Sequence, residues 1–482
     1  MKKIFRIEFA LILAVGLCIS LFMPTQPVSA QPSHEIIEGI FPDGTPWAVV
    51  APEPLDLWNG TIILDLDALT FAPIMDSQHL VPVKWLVSEG YAYGGIIRNV
   101  VGYDFKKAVD YLLVVRQTFI EYYGQTPSRT IAFGLSRGSF VARKCMEFYP
   151  DIFDAALVWG GGGAGEINTA LRIFDGPWVL KTLVDPESPL KIVGISNTSA
   201  EIGAEDAALT ELVNLADSTP EGRARFSLAA AVQQFGPWTV PGSPEPAAKD
   251  YDAQYEQLIS PIYWGVLNYV YNNPALVMAG LEEYAGGIVA WNNDVNYNQK
   301  MLARSGRKDF VVAMYSKAGL GLKGLMADLR TLEKSPRIHA DPEAVAKIER
   351  AGTYTGEIYG PIMNVDSIGD GVDPQSCKKA YANTLRRAGN NKLLRIAWVH
   401  SAGHCHETLL EKAAAFVTLI NRLDTGKWGD TSARAMNELA FRILSETGPD
   451  LIPTTDPRFI ENHGVRQLLR PWDVSDWDSY QP

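Results

Sequence analysis

Apolar and polar residues alternate through "IIEGIFPDGTPWAVVAP" (36–52) on both sides of Asp43 and Gly44, and a period of two around that turn dipeptide predicts a β-hairpin. A second turn at "WNG" leads into "TIILDL", a compact apolar run expected to be a buried strand. "LVSEGYAYGGIIR" reads as a helix end, a glycine break and another strand. The period then lengthens: "YDFKKAVDYLLVVRQTFIEYY" (103–123) carries apolar residues at helical spacing, with Gly124 as its stop. "RTIAFG", "SFVARKCMEFYP" and "DAALVWGG" follow as strand, helix and strand. This alternation predicts an α/β fold, a mostly parallel doubly wound sheet with helices on both faces.

The alternation stops near residue 165 and resumes near 356. The intervening block is helical in pattern, rich in Tyr and Trp, and broken by "GPWTVPGSPEPAA". It is expected to be a helical cap inserted between two parts of the sheet domain, 31–164 and 356–426. The second part reads "IYGPIMNV" (strand), "QSCKKAYANTLRRAG" (helix), "LLRIAWV" (strand) and "ETLLEKAAAFVTLINRL" (helix). Residues 427–482, with one helical segment, are expected to wrap over the sheet domain. Aromatic residues at helical spacing in the cap read first as its core. A cap over the strand ends must nevertheless line part of a pocket there.

One motif lies at a predicted strand-to-helix junction. "TIAFGLSRGSF" (130–140) sets Ser136 between Gly134 and Gly138, where strand and helix would pack closely and raise a serine hydroxyl on a strained turn. The N–H of Arg137 would then point to where an oxyanion forms. A serine hydroxyl needs a base, and the base needs an orienting acid, in the chain order Ser, Asp, His for this kind of sheet. "PIMNVDSIGDGVDP" offers Asp370 just past a late strand, with Asp366 and Asp373 as competitors that otherwise read as turn or capping carboxylates. "VHSAGHCHETLLEK" offers His404 before the closing helix, with His400 and His406 as competitors. Three weak signals in the required order, each at a predicted strand end, point to a serine hydrolase.

Charge and cysteine content narrow the partners. The 482 residues carry a formal charge of −12, which disfavours nucleic acid and anionic membranes as partners. The N-terminal "MKKIFRIEFALILAVGLCISLFMPTQPVSA" has a basic start, an apolar stretch and a small-residue end, the layout of a secretory signal peptide cleaved near Ala30. A secreted or periplasmic protein without a stable membrane anchor is therefore expected, and residues 1–30 are set apart from the fold. Residues 31–482 hold 40 basic and 54 acidic residues, a formal charge of −14. They also keep Cys145, Cys377 and Cys405. Cys377 and Cys405 flank the candidate acid and base, and a disulfide between them could tie the two loops in an oxidising compartment. Cys145 reads as a buried small hydrophobe. No spacing resembles a zinc site, and neither metal nor cofactor is expected.

Together "DGTPWAVVAPEPLDLWNGTIIL", the helix before "RTIAFGLSRGSF", the "IGDGVDP" loop and "SAGHCHETLLEKAAAF" resemble secreted α/β-hydrolases of the bacterial serine-esterase type. The resemblance implies Ser136 as nucleophile, Asp370 as orienting acid and His404 as general base. It also implies a second oxyanion donor after the "TIIL" strand. Many relatives carry His-Gly there, whereas this chain has Asp67-Ala68, so the backbone N–H of Ala68 or Leu69 would serve. Asp65 and Asp67 place negative charge near that site. They either hold the loop by hydrogen bonds or bind polar groups of a substrate. Arg137 either pairs with one of these acids or recognises an oxygen-rich group on the substrate. The expected partner is a small or polymer-derived carboxylic ester, with the aromatic cap favouring a bulky or aromatic one. A peptidase, a lactone or C–C bond hydrolase, and a non-catalytic binding protein are the alternatives.

Overall fold

The computed structural model describes residues 33–70, 72–77, 81–98, 102–260, 274–447, 452 and 455–472. The signal-peptide segment 1–30 lies outside the described residues. So does part of the aromatic cap segment, 261–273.

The predicted hairpin is β1 (Ser33–Ile40) and β2 (Pro46–Glu53), paired antiparallel across the Asp43-Gly44 turn. Six parallel strands follow: β3 (Thr61–Asp65), β4 (Ala92–Ile96), β5 (Arg129–Leu135), β6 (Ala155–Trp159), β7 (Ile362–Gly369) and β8 (Leu394–Ala402). A two-residue strand, β9 (Phe459–Ile460), closes the far edge antiparallel to β8. The order is β1-β2-β4-β3-β5-β6-β7-β8-β9, an α/β-hydrolase fold.

Successive strand residues face opposite sides, so one sequence builds two apolar layers. On one face Val49, Ile62, Leu64, Ala132 and Val158 pack under α2 (Phe105–Tyr123), α3 (Arg137–Phe148) and α13 (Gln375–Arg387). On the other, Val50, Ile63, Phe133, Leu157 and Val365 meet α1 (Val83–Ser88), α14 (Leu409–Thr425) and α15 (Ala433–Thr447). Burying one such Val, Leu, Ile or Phe side chain is worth about 1.5–3 kcal/mol, so these two layers stabilise the sheet domain strongly.

Between β6 and β7 the chain forms α4 (Glu166–Val184), α5 (Ser199–Asp217), α6 (Pro220–Val232), α7 (Tyr251–Ile259), α8 (Pro274–Ala285), α9 (Gln299–Ser305), α10 (Lys308–Lys317), α11 (Gly321–Lys334) and α12 (Pro342–Gly352). They share an apolar core of their own in which Trp291 and Tyr297 are buried. The tail departs from expectation. It leaves β9 and seats on this helical block as well as on the sheet domain. Arg470 pairs with Asp175 at 2.6 Å, the Trp472 N–H donates to Asn168, and the Trp472 ring meets Trp291 edge-on. The reason is that Leu469 and Trp472 find apolar cover there.

Candidate active site

The strand β5 runs into α3 through Ser136, whose φ of 53° is in the left-handed region. For a residue with a side chain this costs about 1–3 kcal/mol, so the surroundings must impose it. They do. A Cβ on Gly134 would stand 2.1 Å from the Gly138 carbonyl, so only glycine lets strand and helix approach this closely. The buried Ser139 hydroxyl bonds the carbonyls of Gly134 and Trp159 at 2.9 and 2.7 Å, and the Ser136 N–H donates to Trp159 O at 3.0 Å.

The three proposed chemical groups meet at this turn. His404 Nε2 is 2.8 Å from Ser136 Oγ, and His404 Nδ1 lies 3.0 Å from Asp370 Oδ2. Asp370 directly follows β7, and its Oδ1 accepts from the N–H groups of Val372 and Asp373 at 2.7 and 3.0 Å. Burial pushes its carboxyl up, but the His404 and Lys378 charges outweigh this and hold it well below the ordinary range. Burial likewise pushes the His404 imidazole down, while the Asp370 carboxylate more than compensates and raises it well above 6.5.

The competing residues lie elsewhere. His400 still belongs to β8 and pairs with Glu245 at the surface, while His406 is half-buried beside the loop. Asp366 and Asp373 are not solvated turn carboxylates. Both are buried and both lie 3.0 Å from Lys378 Nζ, which is also 3.7 Å from Asp370. Lys378 is 1% exposed, and burial pushes its ammonium down less than the three carboxylates raise it. Burial carries Asp366 up to about 7 against the pull of Lys378. Asp366 also bonds Asn364, which accepts from Arg143 Nη2 at 2.7 Å, and Arg143 in turn donates to Ser139 O and Gly161 O. A buried polar chain thus runs from the helix after Ser136 to the Asp370 loop. Lys378 and Arg143 are its cations, and neither was anticipated.

Four further expectations are corrected. Cys377 and Cys405 are free thiols. The Cys377 carbonyl packs against Gly163, whereas the Cys405 thiol packs against Gly160, so each meets a different residue of the loop after β6. Arg137 pairs with neither Asp65 nor Asp67. Arg98 takes Asp67 through Nε and Nη2 and also bonds Leu135 O at 3.0 Å, whereas Asp65 accepts from Tyr93 Oη at 2.7 Å and from the Asp67 N–H. Asp67 is therefore buried and engaged, with no face for a substrate. The Leu69 N–H donates to Ile96 O at 3.4 Å, which removes it as an oxyanion donor. The Ala68 N–H has no acceptor among the described residues.

Ser136 and His404 open into a narrow cavity of about 80 Å³. Tyr103 and Phe140 from the sheet domain and Phe235 and Ile173 from the helical block form its apolar walls. Among the described residues, most of the cap's aromatic residues are thus core, and Phe235 is the one that also lines the site.

No protein-family profile matches the chain. An o-phthalyl amidase of Xanthobacter agilis is 29% identical over 456 residues, spanning 90% of this chain and 96% of that protein. Solved structures that align include an esterase from Aspergillus oryzae (13% identity, 82% of this chain and 80% of that one, TM-score 0.35). Candida antarctica lipase A aligns at 12% identity over 86% and 85% of the two chains, TM-score 0.35.

Proposed function

We propose that this chain is a serine hydrolase that transfers the acyl group of a carboxylic ester or amide to water through an acyl-Ser136 intermediate. The observation that carries the reading is the unbroken contact from Ser136 Oγ through His404 to Asp370 at the mouth of an apolar cavity. His404 Nε2 takes the hydroxyl proton as Oγ attacks the carbonyl carbon, then delivers it to the leaving oxygen or nitrogen. Asp370 keeps the proton on Nδ1 and stabilises the imidazolium. The N–H of Arg137, at the start of α3, and that of Ala68 hold the developing oxyanion. Water, activated by His404, then releases the acid. Export directed by residues 1–30 is part of the same proposal.

Bulky or aromatic acyl groups suit the Tyr103, Phe140 and Phe235 walls. The amidase relative adds amides to the esters suggested by the sequence, and its name points to an aromatic acyl group. Wild-type protein is expected to release 4-nitrophenol from 4-nitrophenyl benzoate and 4-nitroaniline from benzoyl anilides. Ser136→Ala should lower both by at least about 10⁴-fold. Hydrolysis that survives Ser136→Ala overturns the reading.

A further inference from the structure

The wall of the cavity beyond Ser136 holds two guanidinium groups that are not matched by acids. Arg137 lies over the Tyr103 ring, 4.4 Å from its centroid, and its Nη2 is 3.3 Å from the Tyr103 hydroxyl. Among the described residues no carboxylate forms an ion pair with it. Arg172, 7% exposed, bonds Val372 O through Nη2, while its Nε is buried without a partner. Stacking on a ring fixes the plane of a guanidinium and leaves its edge donors free.

The carboxyls nearby do not cancel this charge. Asp373, whose carboxylate feels Arg172, is bound by Lys378 at 3.0 Å and by the Gly163 N–H at 3.3 Å. Glu166 lines the same cavity, is 1% exposed, and has no hydrogen-bond partner on either carboxyl oxygen. Burial pushes Glu166 well above its ordinary range despite Lys144 and Arg137, which favours its neutral form. A cavity with apolar walls and two guanidinium groups without ion-pair partners is built for an anion attached to an apolar body.

We propose that the acyl group accepted at Ser136 carries a second carboxylate, held chiefly by the guanidinium of Arg137, with Arg172 as the second cation. The inference rests on the proposed role of Ser136. It adds that the substrate is a half-ester or half-amide of a dicarboxylic acid. Arg137 then acts twice, its backbone at the oxyanion and its side chain at the distal carboxylate.

The test compares the 4-nitroanilides of benzoic acid and of its ortho-, meta- and para-carboxylated forms. At least one carboxylated anilide is expected to exceed the benzoyl compound by about 100-fold or more in kcat/KM. Arg137→Gln should cut that ratio at least tenfold, and Arg137→Lys, which keeps charge but not the planar fork, should leave it intermediate. A readout free of turnover uses Ser136→Ala and calorimetric titration with phthalate, isophthalate, terephthalate and benzoate. One dicarboxylate should bind more tightly than benzoate, and the added Arg137→Gln should abolish the difference. Equal turnover of neutral and carboxylated anilides, with equal binding of the acids, overturns the inference and leaves the hydrolase reading standing. Selective dicarboxylate binding with no turnover of any ester or anilide supports the pocket assignment and overturns the hydrolase reading.

Discussion

Replacing Asp370 by asparagine is expected to lower kcat/KM by about 10³- to 10⁴-fold and to move the acid limb of its pH profile to lower pH. The first effect follows from tautomer control. The Asp370 carboxylate accepts from His404 Nδ1 at 3.0 Å, which leaves Nε2 free to take the Ser136 proton. An amide can offer an N–H to Nδ1 instead, and the wrong nitrogen then faces serine. The second effect follows from charge. His404 works as a base only when unprotonated, so activity falls as pH drops through its pKa. Asp370 is what raises that pKa well above 6.5 against the opposing effect of burial. The wild-type limb should therefore lie above 6.5, and removing the carboxylate should carry it down. Initial rates on one ester between pH 5 and 9 measure both. An unshifted limb with little loss of rate would mean that Asp370 does not act through His404.

Replacing Lys378 by methionine is expected to destabilise the fold by about 3–5 kcal/mol, read as a fall in the urea midpoint. The ammonium is buried within 4 Å of Asp366, Asp370 and Asp373. A buried pair contributes little relative to an apolar replacement of all its members. Removing only the cation is different, because it strands carboxylates that water cannot reach. Asp366, raised to about 7 even beside Lys378, can escape by taking up a proton, but Asp370 is needed charged. Adding Asp366→Asn to Lys378→Met removes one stranded acid and should recover part of the loss. A midpoint unchanged by Lys378→Met would show that the lysine does not balance this cluster.

Most of the sheet and its two helical layers were legible because period-two and helical patterns are local. The elbow was legible for the same reason, since Gly134, Ser136 and Gly138 sit within five positions of a predicted strand. Asp370 and His404 became readable once the chain order and the strand ends were considered together. Lys378 was not readable, because "CKKAY" suggests a solvated lysine pair. A signal did exist: Lys378, Tyr381 and Leu385 fall on one stripe of α13, and all three are buried. A lysine on an apolar stripe requires buried acids, and this chain supplies them on β7 and in the loop before α13. The Arg98–Asp67 pair depends on β4 lying beside β3, a neighbour relation that no local pattern states. That missing relation is why Asp65 and Asp67 stood as possible partners of Arg137. The disulfide failed for a similar reason, as nearness in role carried no information about which way each thiol faces. β9 is two residues long and has no period to detect.

The central claim, that Ser136 is a nucleophile activated by His404, is tested most directly by covalent trapping. Intact protein treated with a fluorophosphonate is expected to gain one phosphonyl group. Peptide mass spectrometry should place it on Ser136, with labelling lost in Ser136→Ala and slowed at least about 10²-fold in His404→Ala. Absence of labelling, or an adduct on a different residue, would contradict the account.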